Sequence, residues 1–327
     1  MLKKIHPYTS IALLFNLAAL VFLLAAFQDP ACLLSLLGFF FTLREVSKYT
    51  SRFQFILIFT SALLLGASLD LINSNPLLLV MSMFFAASGS ILRIAFFRLF
   101  SYTAFSRFEP LCFFLSLGTY LSANLLFAQT WQEWVFPAPV IIFLAVFAWG
   151  TVKDKNQLLK KSRGGYRVQL GQEAINFNLP DQDGNPVSLA DFKNQRHVLL
   201  IFVRGDWCPG CHMMLRTYEK NNEKFRARNI FAMAIGPDPV GVNRGMVEKL
   251  GLDFKVLSDE GQKTAMLYGV QLSHYENNFS ENYEEGIPLP ASFLVDKQGV
   301  VRYVSRPDKV GEFLNPSLIF PIIESLH

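Results

Sequence analysis
The sequence predicts two parts of different class: an N-terminal all-α bundle of about six membrane-spanning helices and a C-terminal α/β domain with a mixed sheet. Three observations predict this. Of the 56 formally charged side chains in 327 residues, only 13 fall in residues 1–150, against 43 in residues 151–327. Apolar runs in the first part are long, whereas those in the second are short and separated by turns. The 22 Lys or Arg of the second part nearly cancel its 21 Asp or Glu, as in an ordinary water-facing domain. Neither part has the lopsided basic surface of a nucleic-acid binder, so that class is excluded.

A lipid core of roughly 30 Å needs about 20 mostly apolar residues per helix, because an unpaired backbone group in hydrocarbon is too costly. Spans are expected near residues 9–27, 31–46, 53–72, 77–97, 108–128 and 134–152. Asp29-Pro30, Asn73-Ser74-Asn75-Pro76 and Gln129-Thr130-Trp131 read as turns between them. The first span also opens like a signal peptide, with Lys3-Lys4 before an apolar run. Five further spans and the lack of a cleavage site point to an uncleaved helix. Lys3 and Lys4 precede the first span, Arg44, Lys48 and Arg52 separate the second from the third, and Arg93, Arg98 and Arg107 separate the fourth from the fifth. The intervening connections hold Asp29, Asp70 and Glu133. Basic residues on one side mark the cytoplasmic face, and an even number of spans returns the chain there. The expected location is a bacterial-type inner membrane, with residues 166–327 facing the cytoplasm after a basic linker at 153–165.

Beyond the linker, Asp183-Gly184 marks a hairpin turn. His197–Val203 is a continuous apolar run of strand length, as expected for a central strand covered on both faces. Cys208–Arg228 reads as a helix, Ile230–Ile235 as a second buried strand and Val240–Leu250 as a helix. Ala291–Asp296 and Val300–Ser305 are strands joined by Lys297-Gln298-Gly299. Alternating strands and helices with late antiparallel strands predict three layers. His274 and the polar run Tyr275–Glu285 read as a solvated loop before the late strands, with a substrate rim as the alternative.

The chemistry concentrates in Cys208-Pro209-Gly210-Cys211, which follows a strand and opens a helix. Unpaired N–H groups and the helix dipole favour a thiolate at that point. Two intervening residues let one sulfur resolve a mixed disulfide formed by the other. Pro209 suits a first helical position, where its missing N–H is no loss. A zinc site would need a second ligand pair, and only His212 is near. With His212 the motif also spells the c-type haem signature, which the strand context disfavours. No metal or other cofactor is expected.

Three stretches carry a family likeness: Gly171–Phe177 with Asp181–Gly184 and Val187–Leu189, then Arg204-Gly205-Asp206-Trp207-Cys208-Pro209-Gly210-Cys211, then Leu289–Asp296 with Gly299. Together they resemble the thioredoxin-fold superfamily in its peroxiredoxin-like, AhpC/TSA-type branch. The resemblance implies a catalytic Cys208–Cys211 dithiol supported by Arg204, Trp207 and Pro209, with Trp207 packed on it and Pro290 as a cis-proline beside it; His212 is expected at the rim of the site. It departs from the peroxidase pattern twice. Cys208 occupies the usual Thr or Ser position, three before the reactive one held by Cys211, and Pro290-Ala291-Ser292 replaces the usual Arg before the late strand. Thioredoxin-type chemistry makes Cys208 the nucleophile, and peroxidase chemistry makes it Cys211. The implied function is a membrane-anchored thiol oxidoreductase or thiol-dependent peroxidase acting on a protein disulfide or a peroxide. A cellular dithiol of thioredoxin or glutathione type would supply its electrons. The rival reading is a transmembrane reductant conductor or transporter with the redox domain as its electron partner. Cys32 and Cys112 enter that rival: each follows a Pro by two positions and opens the middle helix of a three-span half, a hint of an inverted repeat. Set against it is the plain reading of two small buried residues.

Overall fold
The computed structural model describes residues 7–44, 52–70, 77–96, 108–128, 130–163, 165–273, 283, 285–305 and 316–325. They form two compact units, one built on the helices up to Lys155 and one on the chain from Asn156.

The first unit contains α1 (Pro7–Leu24), α2 (Gln28–Leu43), α3 (Arg52–Asp70), α4 (Leu77–Phe96), α5 (Phe108–Phe127), the single turn α6 (Gln132–Val135) and the start of α7 (Ala138–Arg163). Early residues of α1 meet late residues of α2, the helix that follows. The Tyr8 ring lies 6.0 Å from Phe41, and the Arg44 guanidinium sits over Tyr8 at 4.7 Å. The interior is an apolar cluster that includes Phe39, Leu65, Leu79 and Met83, with polar side chains set into it and large apolar ones also on the outside. Asn16, Ser35, Gln54, Ser61, Ser82 and Ser116 are buried between helices, while Leu14, Leu24, Leu77, Phe114, Leu125 and Leu126 project outward. Ser61 Oγ donates to Asn16 Oδ1 at 2.9 Å, and Ser82 Oγ donates to the Ser116 carbonyl at 2.9 Å. A Cβ on Gly38 would lie 2.8 Å from Asn16 Oδ1, so a larger residue there would displace the Asn16 amide. Small residues and interhelical hydrogen bonds let the helix backbones approach closely.

Among the described residues, three segments are long and apolar enough to cross a bilayer: Pro7–Leu24, Phe108–Phe127 and Gln132–Lys160. Gln28–Leu43, Phe53–Leu69 and Leu77–Gly89 are apolar but shorter. Asp29-Pro30 is not a turn but the first turn of α2, where Pro fits without losing a hydrogen bond. The chain reverses instead through Ala25–Phe27, with Ala26 at φ 59°. Residues 153–163 of the expected linker continue α7, because they contain no Gly or Pro and several strong helix formers. The expected turn at 73–76 and the residues Lys3, Lys4, Lys48, Arg98 and Arg107 lie outside the described residues.

In the second unit a hairpin of β1 (Asn178–Pro180) and β2 (Pro186–Ser188) precedes β3 (His197–Phe202). There follow α8 (Pro209–Glu219), α9 (Asn222–Ala227), β4 (Ile230–Gly236), α10 (Val240–Leu250), β5 (Lys255–Ser258), α11 (Lys263–Tyr268) and the short pair β6 (Gln271–Leu272) and β7 (Ile287–Pro288). β8 (Ala291–Val295), β9 (Val301–Val304) and α12 (Phe320–Glu324) complete it. The main sheet runs β5-β4-β3-β8-β9. β3 is its centre, parallel to β4 and antiparallel to β8, and all six of its residues are buried. This is the thioredoxin-like α/β arrangement. Tyr218 of α8 packs on one face, its hydroxyl 2.8 Å from Ser292 Oγ. Tyr166, Phe177 and Tyr268 pack on the other with Phe202 and Phe293. The single helix expected over 208–228 breaks at Lys220–Asn221, where the Asn221 side chain turns back to donate to the Thr217 carbonyl at 2.9 Å. β5 and α11 are elements the sequence reading did not include.

Asp181 anchors the β1–β2 turn. Buried itself, it accepts the amides of Asp183 and Asn185 at 3.0 and 2.9 Å and Lys255 Nζ at 2.5 Å. Burial alone would raise its pKa, but the Lys255 and backbone hydrogen bonds outweigh it and hold the carboxyl below its ordinary 3.8. A depressed pKa stabilises the fold above the unfolded value and loses that contribution as pH falls through the folded value. Asp181→Ala is therefore expected to cost about 2 kcal/mol at neutral pH. Denaturant titrations should show the gap from wild type closing below about pH 4.

Candidate functional site
Parallel sheet order places the end of β3 against the start of a helix, and ligand chemistry in open α/β sheets gathers at such strand ends. The crossing is made by Val203–Trp207. Gly205 takes φ 126°, and a Cβ there would approach the Tyr283 hydroxyl to 2.7 Å and the Trp207 ring to 3.0 Å. The turn delivers Cys208 as the N-cap of α8 in extended conformation, with Pro209 as the first helical residue.

The two sulfurs are 2.7 Å apart, the Cys211 thiol donating to Cys208 Sγ. The Cys211 amide also donates to Cys208 Sγ, at 3.3 Å, and the Arg204 amide donates to Cys211 Sγ at 3.4 Å. A disulfide needs about 2.05 Å, so bond formation requires only a small approach. Neither is in a disulfide, and Cys208 has 2% and Cys211 0% of its surface exposed. Burial pushes the Cys211 thiol well above its ordinary 9.0, and the Cys208 sulfur adds to this, against a smaller lowering by the Arg204 amide and charge. Cys211 is thus the partner that keeps its proton, and Cys208 receives hydrogen bonds from it.

The expected supporting residues are distributed as follows. Arg204 is buried, and its guanidinium lies over the Trp207 ring at 5.1 Å. The Trp207 Nε1 is buried without a hydrogen-bond partner among the described residues. Pro290 is buried. Because Phe202 pairs with Ala291, Pro290 stands level with Val203 at the start of the active turn. Its peptide bond is not cis, and no cis bond occurs among the described residues. The backbone runs extended from the β6–β7 pairing, through Leu289 N to Val270 O at 2.6 Å, straight into β8 and makes no turn there. His212 is not at the rim: its ring is fully enclosed beside Asp206 and Lys249. Residues 274–282 of the polar insertion lie outside the described residues.

Four contributors were not foreseen as site residues: Asp206, Asp238, Lys249 and Tyr283. Asp206 N donates to Asp238 Oδ2 at 2.7 Å, and the Tyr283 hydroxyl donates to Asp238 Oδ1. The Asp238 carbonyl accepts Ser258 Oγ and the Asn243 side chain, fixing the ends of β4 and β5 and the start of α10. Asp206, Asp238, Lys249 and Tyr283 reach one another across 32 to 45 residues, and no local pattern announces them.

In the first unit, Cys32 and Cys112 are both buried and belong to one apolar cluster. Each is the fifth residue of its helix, preceded by an acid and a Pro in matching register: Asp29-Pro30-Ala31-Cys32 and Glu109-Pro110-Leu111-Cys112. A Cβ on Gly89, late in α4, would lie 3.8 Å from Cys112 Sγ.

A family model described as the AhpC/TSA family matches residues 170–304. Peroxiredoxin Q, chloroplastic, of Oryza sativa subsp. japonica is 33% identical over 153 residues, covering 45% of this chain and 66% of its own length. The chain thus spans just under two thirds of that relative. Thiol-disulfide oxidoreductase ResA of Bacillus anthracis is 32% identical over 136 residues, covering 41% of this chain and 68% of its own length. Putative peroxiredoxin bcp of Coxiella burnetii is 30% identical over 143 residues, covering 44% of this chain and 91% of its own length.

Proposed function
The chain belongs to the AhpC/TSA family through residues 170–304, and from that premise we propose that it is a membrane-anchored thiol oxidoreductase whose Cys208 attacks and whose Cys211 resolves. The observation that carries this reading is the Cys211 thiol, fully buried and donating to Cys208 Sγ at 2.7 Å. In the first step the Cys208 thiolate attacks a substrate disulfide, forms a mixed disulfide and expels one substrate thiolate. In the second, Cys211 loses its proton and attacks Cys208 Sγ, releasing the second substrate thiol. The substrate gains two electrons, the chain keeps a Cys208–Cys211 disulfide, and a cellular dithiol of thioredoxin or glutathione type returns it to the dithiol form.

Peroxide reduction is the second reading, favoured by the burial of both sulfurs. A small oxidant reaches such a site with less displacement than a folded protein does. Cys211 would then take one peroxide oxygen as sulfenic acid and release an alcohol or water. Cys208 would condense with it, expelling water.

Membrane anchoring is supported by the buried Asn16, Ser61 and Ser82 beneath an outer surface of Leu and Phe. We place six crossings at α1–α5 and α7 and the redox domain on the cytoplasmic side of a bacterial-type inner membrane. The basic residues between even and odd spans support that orientation, as does Arg44 meeting Tyr8 at one end of the α1–α2 pair.

One experiment tests these points. The full chain in sealed membrane vesicles is reduced, given one equivalent of hydrogen peroxide or of an oxidised protein disulfide, quenched with alkylating agent and followed by intact mass. Rapid Cys208–Cys211 disulfide formation with the protein disulfide supports the oxidoreductase. Faster formation with peroxide selects the peroxidase, and slow reaction with both sinks the redox reading. The protein disulfide, which does not cross a membrane, should act on inside-out vesicles only; reaction in right-side-out vesicles would reverse the orientation.

A further inference from the structure
We propose that the Asp206–Lys249 ion pair, closed on its inner side by His212, positions the Cys208 turn and keeps the charge around its sulfur balanced. This rests on the reading of Cys208 as the attacking group. Asp206 stands two residues before Cys208, and Lys249 Nζ reaches both its carboxylate oxygens, at 2.7 and 2.6 Å, from α10. The contact ties together segments 43 residues apart in the chain. Both side chains are about four-fifths covered, so the pair is weakly screened compared with a surface one.

His212 follows Cys211 directly, and its amide donates to the Cys208 carbonyl at 3.2 Å. Its Nε2 lies 3.0 Å from Asp206 Oδ1, while its buried Nδ1 has no partner among the described residues. Burial lowers the imidazole pKa, and Lys249 and Arg216 lower it further against the pull of Asp206. Burial would raise the Asp206 pKa, but hydrogen bonds from His212 and Lys249 bring it below its ordinary value. At neutral pH the cluster therefore holds one negative and one positive charge and a neutral ring. The other charged or titratable groups around it are Arg216, Asp238 with Tyr283, and, beside the sulfurs, Arg204 and Cys211.

The balance has a chemical purpose. An unpaired carboxylate two residues ahead of Cys208 would oppose its thiolate. An unpaired ammonium would favour the thiolate so far that its nucleophilicity falls, since a less basic sulfur attacks more slowly. Pairing the two leaves the helix start as the dominant field. The ion pair does not touch the reacting atoms, so Asp206, Lys249 and His212 are positioning residues.

The test is the pH profile of Cys208 alkylation by iodoacetamide, measured by peptide mapping on the full-length reduced chain in detergent from about pH 5 to pH 10. Lys249→Gln should move the midpoint up by about half to one pH unit, and Lys249→Glu should move it further. Asp206→Asn should move it down by a similar amount, and Asp206→Asn combined with Lys249→Gln should return it near wild type. Lys249→Arg should leave it in place. A merely structural role would shift every variant in the same direction and make the double variant worse than either single one. That result, or single variants within about 0.2 pH unit of wild type, overturns the proposal. Should Asp206→Asn not fold, the Gln and Glu replacements of Lys249 decide alone, because both must move upward in order of charge. Wild-type protein alkylated first at Cys211 would instead overturn the assignment of the nucleophile, a failure distinct from that of the charge balance.

Discussion
Cys208→Ser should lower turnover of a disulfide substrate by at least about 10³-fold and abolish covalent adducts, because a serine hydroxyl at this position has no activating base. Cys211→Ser should behave differently. It retains the first attack, so a reduced sample mixed with substrate should show a burst of one equivalent and then stall as a stable mixed disulfide on Cys208. The difference follows from geometry. Cys208 ends the turn from β3 and caps α8, where it accepts the Cys211 amide at 3.3 Å, whereas Cys211 lies inside the helix and is fully buried. Burial and the neighbouring Cys208 sulfur hold the Cys211 proton on, so Cys211 becomes reactive only once Cys208 is consumed in a mixed disulfide and that negative neighbour is gone. Stopped-flow absorbance with intact-mass trapping separates the two variants. A Cys208→Ser protein that still captures substrate would transfer the nucleophile to Cys211 and favour the peroxide reading.

The site was legible in the sequence where its parts are local. A buried apolar run, a glycine-containing turn and Cys-Pro-Gly-Cys lie within 15 consecutive residues, 197–211, and each is dictated by a short-range rule of strand burial or helix capping. Ala291–Val295 was legible for the same reason, as a continuous run of strand length. What escaped was long-range. Lys249 reaches Asp206 from the far end of α10, and Tyr283 reaches Asp238 across 45 residues; nothing in the local pattern distinguishes either from a solvated side chain. His212 was misplaced at the rim because polarity argues for exposure unless a buried counter-charge is known. In the first unit the helix positions follow apolar length, but α2 begins three residues earlier than expected. Pro30, read as a breaker, is a first-turn residue. The continuation of α7 through Arg163 reflects the same weakness: charge alone does not end a helix, and residues 153–163 have no breaker.

Phe293→Ala should destabilise the redox unit by about 3–5 kcal/mol and lower its midpoint temperature by roughly 10 °C. Phe293 has no exposed surface, and its ring meets Phe202 at 5.7 Å, Tyr268 at 5.2 Å and Tyr166 at 5.6 Å. Truncation removes the side chain these three rings close upon, and the strands on either side of β8 leave little room for collapse. The effect should be one of stability rather than chemistry. Successive residues of β8 point to opposite faces: Phe293 joins the aromatic face, while Ser292 faces α8 through its hydrogen bond to Tyr218. Well below its melting temperature, Phe293→Ala should therefore alkylate Cys208 with the wild-type pH profile. A profile displaced while the domain is still folded would show that the aromatic face controls the helix start through the sheet, and the separation of the two faces would have to be abandoned. The outward Leu125 of α5, 72% exposed, supplies the contrast. Its replacement by Ala removes no packing within the bundle and should change stability in detergent by less than about 0.5 kcal/mol. A loss there comparable to that of Phe293→Ala would mean that the outer face of α5 is covered by protein rather than by lipid or detergent.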